Sequence, residues 1–225
     1  MKRLARAGLA IWIAGWLAGC DDGGGSGSKL DNPNPGDNDL NVVVAFGDSL
    51  TSGVGQGVTP YPPRLAGLIG KTVHNEGIGG SKALENVDRA QRVIDRHHPA
   101  FMLILYGYND IINGRRTSTV VSAVEEMALV CEQNNVVPVV ATYPIPIRGH
   151  SVFAYGVFLL NEGLRDMARA RGIVCVDLED EFATGEKDSP DSDWNIPDPA
   201  LYLSDGLHPS DAGAQVMAAA FADLF

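Results

Sequence analysis

A chain of 225 residues, 45 % of them hydrophobic, suffices for one domain of ordinary size with a sizeable core. Its 28 acidic residues outnumber 17 basic ones, and the formal charge of −11 makes nucleic acid an unsuitable partner. No internal repeat is visible.

The chain opens on a basic stretch, Met1-Lys2-Arg3-Leu4-Ala5-Arg6. An apolar run from Ala7 to Ala18 follows, too short to span a bilayer as a mature helix. It ends at Leu17-Ala18-Gly19-Cys20, where small residues precede a cysteine. That pattern resembles the lipobox of bacterial lipoproteins. The resemblance implies that residues 1–19 are removed and that the Cys20 sulfur carries a diacylglycerol. The plainer alternative is a secretory signal with an incidental cysteine. On the lipobox reading the protein belongs to the bacterial cell envelope, held on a membrane through Cys20 and facing the periplasm or the exterior. Loss of residues 1–19 removes three of the 17 basic residues and no acid, leaving a formal charge of −14.

Residues 20–40 are expected to be the lipidated cysteine and a flexible acidic linker, since Gly, Ser, Asn, Asp and Pro dominate and nothing there can build a core. As a random coil the 21–39 stretch has a root-mean-square span of roughly 25 Å. The folded domain is expected at 41–225. Strands are predicted at 41–46, 72–75, 101–106, 136–142 and 173–178; apart from 72–75 they read as largely continuous apolar runs, the pattern of strands covered on both faces. Helices are predicted at about 61–70, 83–97, 117–134 and 153–171, the last stopping at Gly172. Val120, Val124, Met127 and Cys131 form one stripe of the third. A final helix follows Pro209, capped by Ser210. Alternating strands and helices predict a parallel sheet with right-handed crossovers, an α/β three-layer sandwich with helices on both faces.

Ligands of such sheets sit beyond the carboxyl ends of the strands. Four segments fall there: Phe46-Gly47-Asp48-Ser49-Leu50 after the first strand, Asn75-Glu76-Gly77-Ile78-Gly79-Gly80-Ser81 after the second, and Tyr106-Gly107-Tyr108-Asn109-Asp110 after the third. The fourth, Asp205-Gly206-Leu207-His208-Pro209, precedes the last helix. A serine becomes a nucleophile when a base takes its proton and a third group orients that base. Ser49, His208 and Asp205 are the residue types this needs. Taken singly, each segment also reads as a turn, a helix cap or a plain loop.

In order and wording the four blocks resemble the SGNH or GDSL hydrolase family, over residues 41–225. The resemblance implies Ser49 as nucleophile, His208 as base and then acid, and Asp205 as orienting carboxylate. It implies an oxyanion hole of the Ser49 N–H, the Gly80 N–H and the Asn109 side chain, and a five-stranded sheet in flavodoxin-like order. Gly80 aligns with the glycine of the family's second block, where Ser81 stands in place of the frequent Asp. Asp48 is expected to brace the turn.

No cofactor or metal is expected. No His, Cys or carboxylate cluster has zinc spacing, and Gly53-Val54-Gly55-Gln56-Gly57 misses the dinucleotide fingerprint. His97 and His98 are expected to be solvated at a helix end, while His74 and His150 lie near the active face. Cys131 and Cys175 read as buried hydrophobes, although a disulfide is permitted outside the cytoplasm. Residues 143–148 and 153–160 are candidates for the wall of an acyl pocket, and 185–200, with Trp194, for its rim. The function expected is a monomeric serine esterase acting on acyl, aryl or lysophospholipid-type esters. The alternative is a carbohydrate O-acetyl esterase acting on polysaccharide or cell-wall glycan.

Overall fold

The computed structural model describes residues 30–53, 57–187 and 194–225. The predicted signal and Cys20 lie outside the described residues. Five strands alternate with helices: β1 (Asp39–Gly47), α1 (Ser49–Ser52), α2 (Tyr61–Ile69), β2 (Thr72–Gly77), α3 (Val87–His97), β3 (Pro99–Leu105) and α4 (Tyr108–Ile112). After these come α5 (Thr117–Gln133), β4 (Val137–Ala141), α6 (Ala154–Arg171), β5 (Val174–Val176), α7 (Leu178–Glu181) and α8 (Asp211–Ala222). The sheet is fully parallel in the order β2-β1-β3-β4-β5, the flavodoxin-like arrangement.

Every residue of β3 is buried, because helices cover both of its faces. Packing of α2 with α8, and of α5 with both α3 and α6, makes the two outer layers. Helix α5 turns Val120, Val124, Met127 and Cys131 into the core, as its periodicity predicts. Gly172, in the left-handed region at φ 68°, ends α6, and the Ser210 side chain accepts the Gly213 N–H to start α8. Among the described residues, Cys131 and Cys175 are free thiols. Burial lifts the Cys131 thiol far above its ordinary value and pushes Cys175 up to about 11.

The register decides where the site lies. Gly47 pairs with Gly77 on the edge strand β2 and with Leu105 on β3, so these three adjacent strands end at one level. The segments carrying Ser49, Gly80 and Asn109 therefore leave the sheet side by side at the point where the strand order reverses.

The predicted linker needs a correction. From residue 30 on, the chain belongs to the folded domain. Leu30 is buried and its N–H donates to Leu224 O at 2.9 Å. Buried Asn32 donates to Ala100 O and Asn135 O, and Asn38 to Asn134 O at 2.8 Å. Composition reads as solvated here because the segment is polar. Its asparagine amides instead satisfy carbonyls at the end of α5 and the start of β3. These contacts lie at the amino-terminal edge of the sheet, opposite Ser49.

Candidate active site

Ser49 sits on the tight turn from β1 into α1. Asp48 caps the short helix, its Oδ1 accepting the Leu50 N–H at 3.0 Å. Asn75 of the second segment donates to Thr51 O at 2.9 Å and accepts the Gly77 N–H. Two glycines permit this closeness. A Cβ on Gly47 would lie 2.2 Å from Thr51 Oγ1, and one on Gly77 would lie 2.2 Å from Ser52 N. The serine is thus held between β2 and β3 by backbone packing.

Asp205 and His208 occupy a turn closed by Leu203 N–H to His208 O at 2.8 Å. Asp205 Oδ1 accepts the N–H groups of Leu207 and His208, and Oδ2 lies 2.7 Å from His208 Nδ1. A carboxylate facing Nδ1 assigns the ring proton to that nitrogen. Nε2 is left as an acceptor, 3.1 Å from Ser49 Oγ. Burial alone would raise Asp205. The bonds from the His208 ring, Leu207 N and His208 N, with the histidine's charge, outweigh it and hold the carboxyl below its ordinary range.

The second segment runs alongside the serine: a Cβ on Gly79 would lie 4.0 Å from Ser49 Cβ. Gly80 follows at φ 74°, and its N–H has no partner among the described residues. Behind this loop Glu76 pairs with Arg89 at 2.8 Å. Arg89 also reaches Tyr106 Oη at 3.1 Å and Glu76 O at 2.6 Å. From the other side, Asp110 Oδ2 accepts the Ala83 N–H at 2.8 Å. Asn109 brings its amide nitrogen 3.0 Å from both Asp48 Oδ2 and Ser81 O. Both neighbours are acceptors, so the NH₂ group and not the oxygen faces them.

Ser49, Asp205, His208 and Asn109 are therefore brought together, with the Gly79–Gly80 loop beside them. Several expectations fail. His97 is not solvated; its ring lies 2.7 Å from Glu76 Oε1 and 4.1 Å from the stacked His74 ring, centroid to centroid. That contact takes His74 into the β2–α3 packing. Residues 143–146 are buried and form core, not a pocket wall. His150 does approach the site, Nδ1 lying 2.7 Å from Tyr108 Oη. Burial and then the Asp205 charge push the Tyr108 phenol up to about 12. Trp194 packs on Phe158 at 5.5 Å beside a cleft of about 240 Å³ lined by Arg165, Asp177, Glu179 and Asn195, past the end of β5. Residues 188–193 of the predicted rim lie outside the described residues.

Sequence reasoning missed Tyr143 and Arg89. Tyr143 sits in an apolar run and Arg89 on a charged helix face, and neither shows a local signal of its contact with the site.

An αβα sandwich with a strand-end serine, an acid-held histidine and an amide beside them defines a hydrolase of the esterase or lipase type. The GDSL-like Lipase/Acylhydrolase family model matches residues 45–216, and the chain belongs to that family. No curated protein matches it. Among solved structures, it is similar to a protein assigned to the G-D-S-L lipolytic family from Desulfitobacterium hafniense DCB-2. That match has 22 % identity and a TM-score of 0.70, covering 82 % of this chain and 99 % of the other. A GDSL-like lipase from Bacteroides thetaiotaomicron VPI-5482 matches at 19 % identity and a TM-score of 0.64, over 80 % and 85 % of the two chains. A carbohydrate esterase family 3 protein from Talaromyces cellulolyticus matches at 17 % identity and a TM-score of 0.65, over 80 % and 94 %. At these identities the likeness is one of fold.

Proposed function

We propose that the protein is a serine esterase that hydrolyses carboxylic esters of acyl, aryl or lysophospholipid type through an acyl-enzyme. The observation that carries this reading is the continuous chain from Asp205 Oδ2 through the His208 ring to Ser49 Oγ, at 2.7 and 3.1 Å. His208 Nε2 takes the hydroxyl proton as Ser49 Oγ attacks the ester carbonyl carbon. Asp205 holds the Nδ1 proton and stabilises the imidazolium that forms. The oxyanion accepts from the N–H groups of Ser49 and Gly80 and from Asn109 Nδ2, each worth about 3 kcal/mol when well aimed. His208 then protonates the departing alcohol. Water, losing its proton to the same nitrogen, attacks the acyl carbon and frees Ser49. Ser49→Ala is expected to fold normally and lose at least ~10⁴-fold in kcat; retained turnover of p-nitrophenyl esters would remove Ser49 from its role.

The second reading, a carbohydrate O-acetyl esterase, uses the same residues. The cleft beside Trp194 supports it, since an aromatic face among carboxylates, an arginine and an amide suits a sugar. A chain-length series of p-nitrophenyl esters run against acetylated xylan decides between them. Release of acetate from sugar alone would sink the first reading.

The lipobox at Cys20 supports attachment to a cell-envelope membrane. Since the chain joins the domain at the edge opposite Ser49, the ester site on this reading faces away from the anchor, toward substrate that approaches from the aqueous side.

A further inference from the structure

The residue before the nucleophile is a fully buried acid. Asp48 is 0 % exposed and its two oxygens receive three bonds: Leu50 N–H at 3.0 Å, Asn109 Nδ2 at 3.0 Å and Tyr143 Oη at 2.7 Å. Tyr143, just past the end of β4, is itself fully buried, and its hydroxyl also lies 3.2 Å from Leu105 O. A buried carboxylate tolerates ionisation only when donors meet it. The ionised form in turn decides how Asn109 sits. An acceptor-only oxygen attracts the amide NH₂ and repels the amide oxygen, whereas a protonated carboxyl accepts either face.

We propose that Tyr143 is a positioning residue: its phenol keeps Asp48 ionised, and ionised Asp48 clamps the Asn109 amide so that its second hydrogen can be shared between Ser81 O and the oxyanion. This rests on the esterase reading above and adds to it a residue from outside the four family blocks.

The charges around Asp48 agree with this role. Burial raises its carboxyl to about 6, with Tyr143, the Leu50 N–H and the charge of His208 opposing the rise and Asp110 adding to it. Tyr61 and Tyr106 also feel Asp48: burial is the main cause that raises both phenols, and the Asp48 charge adds a smaller part. Removing the Tyr143 hydroxyl deletes the first of the opposing contacts, so Asp48 takes up its proton at higher pH.

The test is a double-mutant cycle in Tyr143→Phe and Asp48→Asn, read as kcat and KM for a p-nitrophenyl ester from pH 5 to 9. Tyr143→Phe is expected to lower kcat about tenfold at neutral pH with KM within about twofold. Its acid limb should move up by about one pH unit. In the Asp48→Asn background, the same Tyr→Phe change should alter neither kcat nor the limb. An unmoved acid limb with kcat preserved overturns the proposal. So does an equal loss in both backgrounds, which would mean that Tyr143 acts by packing alone. Should Tyr143→Phe fail to fold, Asp48→Asn probes the link from its other end, and unchanged kcat there overturns the proposal equally. Wild-type protein that hydrolyses no ester removes the parent reading; wild-type turnover with an unmoved Tyr143→Phe profile removes this one alone.

Discussion

Gly206 presses against Ile147 so closely that a Cβ on the glycine would lie 2.4 Å from the Ile147 carbonyl oxygen. Ile147 N–H in turn donates to Gly206 O at 2.8 Å, and Gly206 holds φ at 80°. The contact joins the turn that carries Asp205 and His208 to the segment after β4. Gly206→Ala adds a left-handed strain of about 1–2 kcal/mol and a backbone clash. The melting temperature is expected to fall by about 5 °C or more. The value of kcat/KM should fall further than the stability loss explains, because the turn must shift. An alanine variant with wild-type melting and activity would show that this contact does not hold the turn.

Asp205→Asn keeps the shape of the turn and reverses the ring. An amide N–H facing Nδ1 moves the ring proton to Nε2, leaving no acceptor toward Ser49. A fall in kcat of about 10⁴ near neutral pH is expected. Because Asp205 is held below the ordinary carboxylate range, its stabilising effect is present above its unfolded pKa and fades only as pH falls through the depressed folded value. The acid limb of the wild-type rate profile therefore does not report Asp205. A variant with more than a tenth of wild-type kcat would speak against the tautomer argument.

Asp48 has the opposite linkage. Its carboxyl rises from an ordinary 3.8 to about 6 in the folded protein. A raised carboxyl stabilises the fold fully below the unfolded value and loses that contribution as pH rises through the folded one. That rise corresponds to about 3 kcal/mol. Urea unfolding of wild type and Asp48→Asn at pH 4 and pH 7.5 checks it, since other acids cancel in the comparison. The stability gap is expected to move toward the variant by about that amount at the higher pH; a gap that stays constant would contradict it.

The proposed anchor at Cys20 is testable separately. Cys20→Ala is expected to shift the protein from the membrane fraction to the soluble fraction while leaving kcat on a soluble ester unchanged. Membrane association that survives the substitution would end the lipobox reading.

Element type followed from local pattern. The runs at 41–46 and 101–106, the stripe on α5 and the stop at Gly172 each encode burial or capping within a few residues, and they appear within two residues of where predicted. The four blocks were legible for a similar reason, since turn geometry at a strand end demands particular residue types at fixed spacing. What the polar segment 30–38 and residues 143–146 do was not legible. Asparagines that satisfy distant carbonyls have the composition of a linker, and a tyrosine that reaches a carboxylate 95 positions away looks like core.

The sequence by itself determined the strands, the principal helices and the chemical inventory of the site, because those depend on neighbours along the chain. Only the tertiary structure decided which nitrogen of His208 meets Ser49, on which side of the domain the chain enters at Leu30, and which buried phenol bonds to Asp48. Those outcomes depend on sheet register, and register arises from the packing of the whole core.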